Sequence, residues 1–367
     1  MMRVLVIEPA GKLWGSERAL LDFVNKLPDF EAGVCCPPAT PIIAELEKIS
    51  VRTFPYFIES LHDKGRSKRL WAAICVVKAC SEFRPDIIYL NQGGCYRVAL
   101  PAAKLFNLPI VAHVRIFEDV QYFARLHPSP LRLRAVVAIS RTIANALGSY
   151  DHLSSIPQYT LYDAYVPFRS ATETGMPARV LNRVACASRI VPIKGQQLLI
   201  DAMHWLRRNT EEKIECHILG DGQKDFVCQL KISASQGAAS ADIQWQGTRK
   251  DIVPFLRTCA AMAFPSYQEA LGRVTFEAWD AGAVPVACRT SGGGAETIAA
   301  ADGGVLYAEP KAELLAEALL TAVKLPQKDV ARLVANGREW MAQNCDPVRY
   351  CAAMAKILSD AVFAHRN

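Results

Sequence analysis

The sequence predicts an α/β protein of two doubly wound domains, and three observations carry that prediction. The chain has 367 residues, enough for two domains of ordinary size. Short β-rich runs alternate with helix-period stretches along nearly all of it, the pattern of parallel sheets covered by helices. The alternation breaks once, in Pro167 to Pro177, where Pro, Ser, Thr, Glu and Gly crowd together without an apolar period. The expected boundaries are therefore 1–170 and 171–345, with 346–367 a tail helix that packs back toward the first domain.

In the first domain the expected strands are Arg3–Ile7, Gly33–Cys36, Val51–Phe54, Asp86–Leu90, Ile110–His113 and Val136–Ile139. Helix-period stretches such as Glu17–Lys26 and Leu70–Phe83 lie between them. In the second domain the expected strands are Val184–Ala187, Ile214–Leu219, Ile243–Trp245, Ala261–Phe264, Val284–Cys288 and Gly304–Leu306. Its helices include Gly195–Arg207, Arg273–Ala281 and Lys311–Leu325. Both series read as Rossmann-like. Ligands of such sheets bind beyond the carboxyl ends of the strands, so two facing sheets place the working site in the cleft between them.

Composition excludes several classes. With 51% hydrophobic and 21% charged residues the chain is an ordinary globular one. No apolar run approaches the ~18 residues that span a bilayer. The start, Met-Met-Arg before the short run Val4 to Ile7, does not read as a signal peptide. Twelve cysteines form no CxxC pair, and several sit inside apolar runs, so free thiols in a reducing cytoplasm are expected. The net charge is +6, with 20 basic against 15 acidic residues in 1–170. That excess is small for a nucleic-acid binder, and no nucleic-acid-binding motif accompanies it.

The segment that carries chemistry is PSYQEALGRVTFEAWDAGAVPV, residues 265 to 286. A strand runs into a loop and a helix opens near Gly272, with Glu269 before it and Glu277 on it. Eight helical steps would separate the two carboxylates by about 12 Å, the scale of a nucleotide sugar from ribose to ring. The backbone N–H groups of Leu271, Gly272, Arg273 and Val274 open the helix and suit an anion. Upstream, a strand ends at Ser188 and is followed by Arg189 and Lys194, two cations suited to a pyrophosphate. Gly11 and Gly15-Ser16-Glu17 connect the first strand to the first helix. Their spacing is not GxGxxG, so an NAD dehydrogenase is excluded.

Together these segments resemble the retaining family-4 glycosyltransferases of the GT-B fold. The family's signature is similar to Pro265-Ser266, Glu269, Gly272, Glu277 and Gly282 to Val286. Its strand–Arg–Lys-Gly element is similar to Arg189 and Lys194-Gly195. Gly220 to Gly222, Gly293 to Glu296 and Val136 to Ser140 fit as well. The resemblance implies that Glu269 contacts donor-sugar hydroxyls, that Glu277 contacts the ribose and that Arg189 and Lys194 hold the diphosphate. It implies that Gly15 approaches the diphosphate from the first, acceptor-side domain, opposite the nucleotide-sugar domain. His113-Val114-Arg115 is similar to a variant of the family's strand end, which leaves either His113 or Arg115 to approach the donor sugar. Departures are Trp14-Gly15-Ser16, where a glycine pair is common, and Asp163-Ala164, where Asn-Gly is frequent.

The expected activity is transfer of a sugar from a nucleoside-diphosphate sugar to a saccharide or lipid-linked hydroxyl, with anomeric retention, in cell-surface polysaccharide or glycolipid assembly. No DxD occurs, so no metal and no cofactor are expected. A non-hydrolysing nucleotide-sugar epimerase and an inactive nucleotide- or carbohydrate-binding module are the alternatives. The location expected is cytoplasmic, at the inner face of the cell membrane. Lys64, Arg66, Lys68 and Arg69 crowd ahead of a helix beginning near Leu70-Trp71, where cations oppose the helix dipole and helix stability does not explain them. A basic cluster beside a tryptophan suits anionic headgroups. Arg132 and Arg134 would join that face if they lie nearby. Against it, Ile74, Val76, Val77 and Phe83 read as core.

Overall fold

A computed structural model describes residues 1–11, 13, 15–26, 29–57, 65–126, 131–168 and 179–367, without the side chain of Arg66. The chain divides into two units, Met1–Tyr165 with Asn344–Asn367, and Val166–Gln343. Lys64, Trp14 and most of the Pro167–Pro177 break lie outside the described residues.

The first unit holds β1 (Met2–Ile7), β2 (Phe30–Cys36), β3 (Arg52–Pro55), β4 (Ile87–Leu90), β5 (Ile110–Val114), β6 (Leu133–Ala138) and β7 (Gln158–Thr160). They form one parallel sheet in the order β3-β2-β1-β4-β5-β6-β7. Its helices are α1 (Gly15–Lys26), α2 (Pro41–Lys48), α3 (Arg66–Phe83), α4 (Tyr96–Leu105), α5 (Phe117–Ala124) and α6 (Arg141–Gly148). The second unit holds β8 (Val180–Ala187), β9 (Glu215–Leu219), β10 (Ile243–Gly247), β11 (Cys259–Phe264), β12 (Val284–Cys288) and β13 (Val305–Tyr307). These too are parallel, in the order β10-β9-β8-β11-β12-β13. Its helices are α7 (Gln196–Asn209), α8 (Lys224–Ser235), α9 (Val253–Leu256), α10 (Val274–Ala281), α11 (Gly293–Ala301), α12 (Ala312–Lys324) and α13 (Gln327–Asn344). The last helix, α14 (Pro347–Arg366), belongs to the first unit.

All twelve expected strands form, and β7 is one that the sequence did not signal. The central strands β4, β5, β11 and β12 are buried along their whole length, which is why they read as unbroken apolar runs. Strand order reverses at β1 in the first unit and at β8 in the second, and crevices at the carboxyl ends of such strands are where doubly wound sheets bind ligands.

Local chemistry sets the helix starts. Ser140 caps α6 by accepting the Ile143 N–H at 3.2 Å, and Asp346 caps α14 by accepting that of Arg349 at 2.8 Å. Pro347 occupies the first position of α14, where no N–H is needed. Tyr350, Met354 and Leu358 of α14 are buried in one apolar cluster with Phe23 of α1 and Val4 and Val6 of β1. On α3, Val76 and Phe83 are core, as expected. Ile74 is not: it points outward at 49% exposure, in one strip with Leu70 at 65% and Trp71 at 56%.

Asp119, in the first turn of α5, is buried and accepts the N–H groups of Gly93 at 3.2 Å and Gly94 at 2.8 Å, just past β4. Burial outweighs those bonds and raises its carboxyl to about 7. The folded chain therefore keeps a proton that the unfolded chain releases near its ordinary value of 3.8. Stability should fall as pH rises from about 4 to about 7, by about 1.4 kcal/mol per unit for this group. Burial also raises the carboxyl of Glu8, which acts in the same direction. Denaturant titrations across that range should show a flatter decline for Asp119→Asn than for wild type. An identical slope would contradict this reading of Asp119.

Candidate functional site

The second unit brings three loops together at the carboxyl ends of β8, β11 and β12. The β8 loop, residues 188–195, carries Arg189 and Lys194. The β11 loop, residues 265–273, carries Glu269, Leu271 and Gly272. The β12 loop supplies Ser291 and Gly292. Tyr267 donates its N–H to the carbonyl of Ile193 at 2.9 Å, tying the first loop to the second. Glu269 donates its N–H to Ser291 O at 2.7 Å and accepts from Gly293 N at 2.8 Å, tying the second to the third.

Both seams need glycine. Gly195 has φ +69°, and a Cβ there would lie 2.1 Å from the carbonyl oxygen of Pro265. Gly292 has φ +100°, and its Cβ would lie 2.4 Å from the carbonyl oxygen of Glu269. No L side chain fits either contact without moving backbone.

These seams set the side chains that matter. Lys194 donates its ammonium to the Glu269 carboxylate, 75 positions away in sequence, and both side chains are 16% exposed. Arg189 is exposed at the end of β8, and its carbonyl accepts from Gln196 Nε2 at 2.8 Å. The same Nε2 donates to Ser188 Oγ at 2.8 Å. Gln196 is therefore the pin that holds the β8 loop to the start of α7. Sequence reading passed over it, although it directly follows Lys194-Gly195.

Helix α10 begins at Val274, one residue after the expected Arg273, so Glu269 lies in the loop and only Glu277 is helical. The span of about 12 Å assumed a continuous helix and does not describe this pair. Among the described residues, nothing accepts the N–H groups of Leu271, Gly272 or Val274. Arg273 and Glu277 are half-buried, each with partners of its own. The helix is anchored by Trp279, which is fully buried, stacks on Phe276 and donates Nε1 to Gly303 O at 2.6 Å. Burying an indole this way stabilises by roughly 3 kcal/mol and fixes the turn that carries Glu277. Gln196 Oε1, Thr275 Oγ1 and Ser291 Oγ are buried without a hydrogen-bond partner among the described residues. Unmet hydrogen-bonding capacity around an ion pair suits a polar ligand.

In the first unit, Gly15 opens α1. Glu8, Asn91 and Arg115 are the first residues past β1, β4 and β5, and all three are buried. Asn91 Nδ2 donates to Glu8 Oε2, and Ala10 donates its N–H to Glu8 Oε1 at 2.7 Å. Arg115 Nε donates to the Asn91 carbonyl at 2.9 Å, and its Nη1 pairs with Asp163. The guanidinium, read from sequence as one of two candidates to approach the donor sugar, is thus held inside the unit by Asn91 and Asp163. His113 is likewise buried, its Nδ1 2.8 Å from Tyr89 Oη, and burial with the Arg115 charge holds it well below the usual histidine range. Neither side chain is presented to solvent, because β5 is a central strand. Glu8 and Asn91 carried no motif, and their signal was only their position directly after two strands.

The basic stretch resolves in part. Lys68 is exposed and Arg69 half-buried on α3, beside the Leu70-Trp71-Ile74 strip. Arg132 and Arg134 each have a partner on α14. They flank His365 of α14 at 3.3 and 3.2 Å, at the amino-terminal end of β6. Among the described residues no helix is long and apolar enough to cross a membrane, and no group of three or more His, Cys, Asp or Glu could hold a metal ion.

Residues 181–340 match the model of the family described as Glycosyl transferases group 1. Over that stretch the chain is similar to the family, and its two parallel α/β sheets are those of the GT-B fold. Over 229 residues it is 28% identical to a GDP-mannose-dependent alpha-(1-6)-phosphatidylinositol monomannoside mannosyltransferase of Mycolicibacterium smegmatis. That match spans 59% of this chain and 58% of the relative. Anabaena Alr3699/HepE, solved in complex with UDP and glucose, superposes with a TM-score of 0.81 at 22% identity, over 98% of this chain and 100% of that one. A glycosyltransferase from Rickettsia africae superposes at 0.77 with 17% identity, over 98% of both chains.

Proposed function

We propose that the chain moves a sugar from a nucleoside-diphosphate sugar to an acceptor hydroxyl, with retention at the anomeric carbon. The observation that carries this reading is the Lys194–Glu269 pair at a strand's carboxyl end, next to the unaccepted N–H groups of Leu271, Gly272 and Val274. Lys194, Arg189 and those N–H groups supply positive charge for a leaving diphosphate, without a metal ion. Charge stabilised as it develops is the largest single contribution such a site makes to rate. Glu269 receives hydroxyls of the sugar and Glu277 those of the ribose. The bond from the anomeric carbon to the diphosphate breaks, the acceptor oxygen bonds to that carbon on the same face, and the acceptor proton passes to the departing phosphate oxygen. The names of the two relatives point to GDP-mannose in one case and UDP with glucose in the other, so both bases are candidates.

Lys194→Ala should lower kcat/KM by about 10²-fold or more, the scale of losing one charge contact in a transition state. Glu277→Gln should weaken the free nucleoside diphosphate as well as its sugar. A melting-temperature screen against UDP, GDP, ADP and their sugars selects the donor for these assays. Near-normal rates in Lys194→Ala would return that side chain to an ordinary loop cation.

The acceptor belongs to a cell-surface polysaccharide or glycolipid, handled by a cytoplasmic enzyme at the inner membrane face. Support comes from α3, where Leu70, Trp71 and Ile74 form an exposed apolar strip behind Lys68 and Arg69. Each cation near an anionic surface contributes about 1 kcal/mol. Co-sedimentation with phosphatidylglycerol vesicles should fall with added salt and with Lys64, Lys68 and Arg69 changed to Glu. Binding that ignores both, or is absent, contradicts the peripheral location.

A further inference from the structure

We infer that Glu269 discriminates between the nucleotide sugar and the free nucleoside diphosphate that transfer leaves behind, because its carboxylate, held beside the Lys194 ammonium, repels the added negative charge of a bare terminal phosphate. The inference rests on the reading of this site as a nucleotide-sugar site.

Lys194 and Glu269 are paired, and each is largely shielded from solvent. Neither backbone can withdraw. Lys194 is bracketed by the Tyr267–Ile193 hydrogen bond and the Gly195–Pro265 contact, while Glu269 is bonded through both its N–H and its carbonyl to the β12 loop. The two charges therefore stay within reach of each other whatever else the site holds.

An ammonium has three N–H donors, so Lys194 can serve Glu269 and a phosphate together. A carboxylate has only lone pairs. Beside it, a sugar offers hydroxyl donors, whereas a bare terminal phosphate offers more negative oxygen. That phosphate also carries additional charge at neutral pH, since its second ionisation lies near pH 6. One fixed carboxylate thus favours the substrate ester and disfavours the product diphosphate. The consequence is product release, a step that limits turnover in many enzymes.

The test is calorimetric titration of wild type and Glu269→Gln with UDP, GDP, UDP-glucose and GDP-mannose at pH 7.5. Glu269→Gln keeps the shape and removes the charge. It should bind the preferred nucleoside diphosphate about fivefold more tightly than wild type, the scale of one partly exposed ion pair. It should bind the corresponding sugar ester more weakly, so the preference between the two ligands reverses in direction. The tightening should shrink below about pH 6, where the terminal phosphate takes up a proton. Glu269→Ala reads the same charge effect if the glutamine variant does not fold. Wild type that binds both ligands, with variants showing no gain for the diphosphate, overturns the inference alone. Wild type that binds none of the four overturns the nucleotide-sugar reading and the inference with it.

Discussion

Backbone packed against backbone is the constraint on which the second unit's site depends. Where Gly195 meets Pro265 and Gly292 meets Glu269, the chains approach closer than any Cβ allows. Three loops from three strands become one surface, cross-linked by main-chain hydrogen bonds of 2.7 to 2.9 Å. Only then can the ammonium of a lysine in the β8 loop donate to the carboxylate of a glutamate in the β11 loop. Loops tied together by their own backbones need less ordering when a ligand arrives, which lowers the cost of aligning reacting groups.

The first unit solves a different problem with charge. Glu8, Asn91, Arg115 and Asp163 run through the buried carboxyl edge of its sheet, from β1 through β4 and β5 to the segment after β7. Buried ions carry a large desolvation cost that only close partners offset. Here each has one: Arg115 has Asp163 and Asn91, and Glu8 has Asn91 and the Ala10 N–H. Glu8 and Ala10, just past β1, are therefore held by the same network that holds Asp163, two residues before the first unit's main segment ends at Tyr165. Removing Asp163 would leave the buried Arg115 charge without its counter-ion.

Much of this was legible in the sequence, for identifiable reasons. Parallel strands buried on both faces read as continuous apolar runs, which marked β4, β5, β11 and β12. β7 is three residues long at a sheet edge, partly exposed, and gave no such run. The second unit's site was legible because one 22-residue stretch, 265 to 286, holds Glu269, Gly272 and Glu277, and Lys194 abuts a glycine. The Glu8–Asn91–Arg115–Asp163 network was not, because it joins residues 83, 24 and 48 positions apart through strand register alone. Arg115 was one of two candidates for the donor sugar because His113-Val114-Arg115 is similar to a family variant, and that likeness carries no sign of the Asp163 carboxylate that pairs with it. Ile74 read as core because α3 is apolar on more than one side, and period alone does not say which side meets the sheet.

The central claim is that the seamed loops of the second unit are the nucleotide-sugar site. Hydrogen exchange followed by mass spectrometry tests it directly, with and without a saturating nucleotide sugar whose binding is confirmed by a raised melting temperature. Slowed exchange should concentrate in peptides covering residues 188–196, 265–275 and 289–296. Slowing confined to other segments, with these three unchanged at saturation, would contradict the claim.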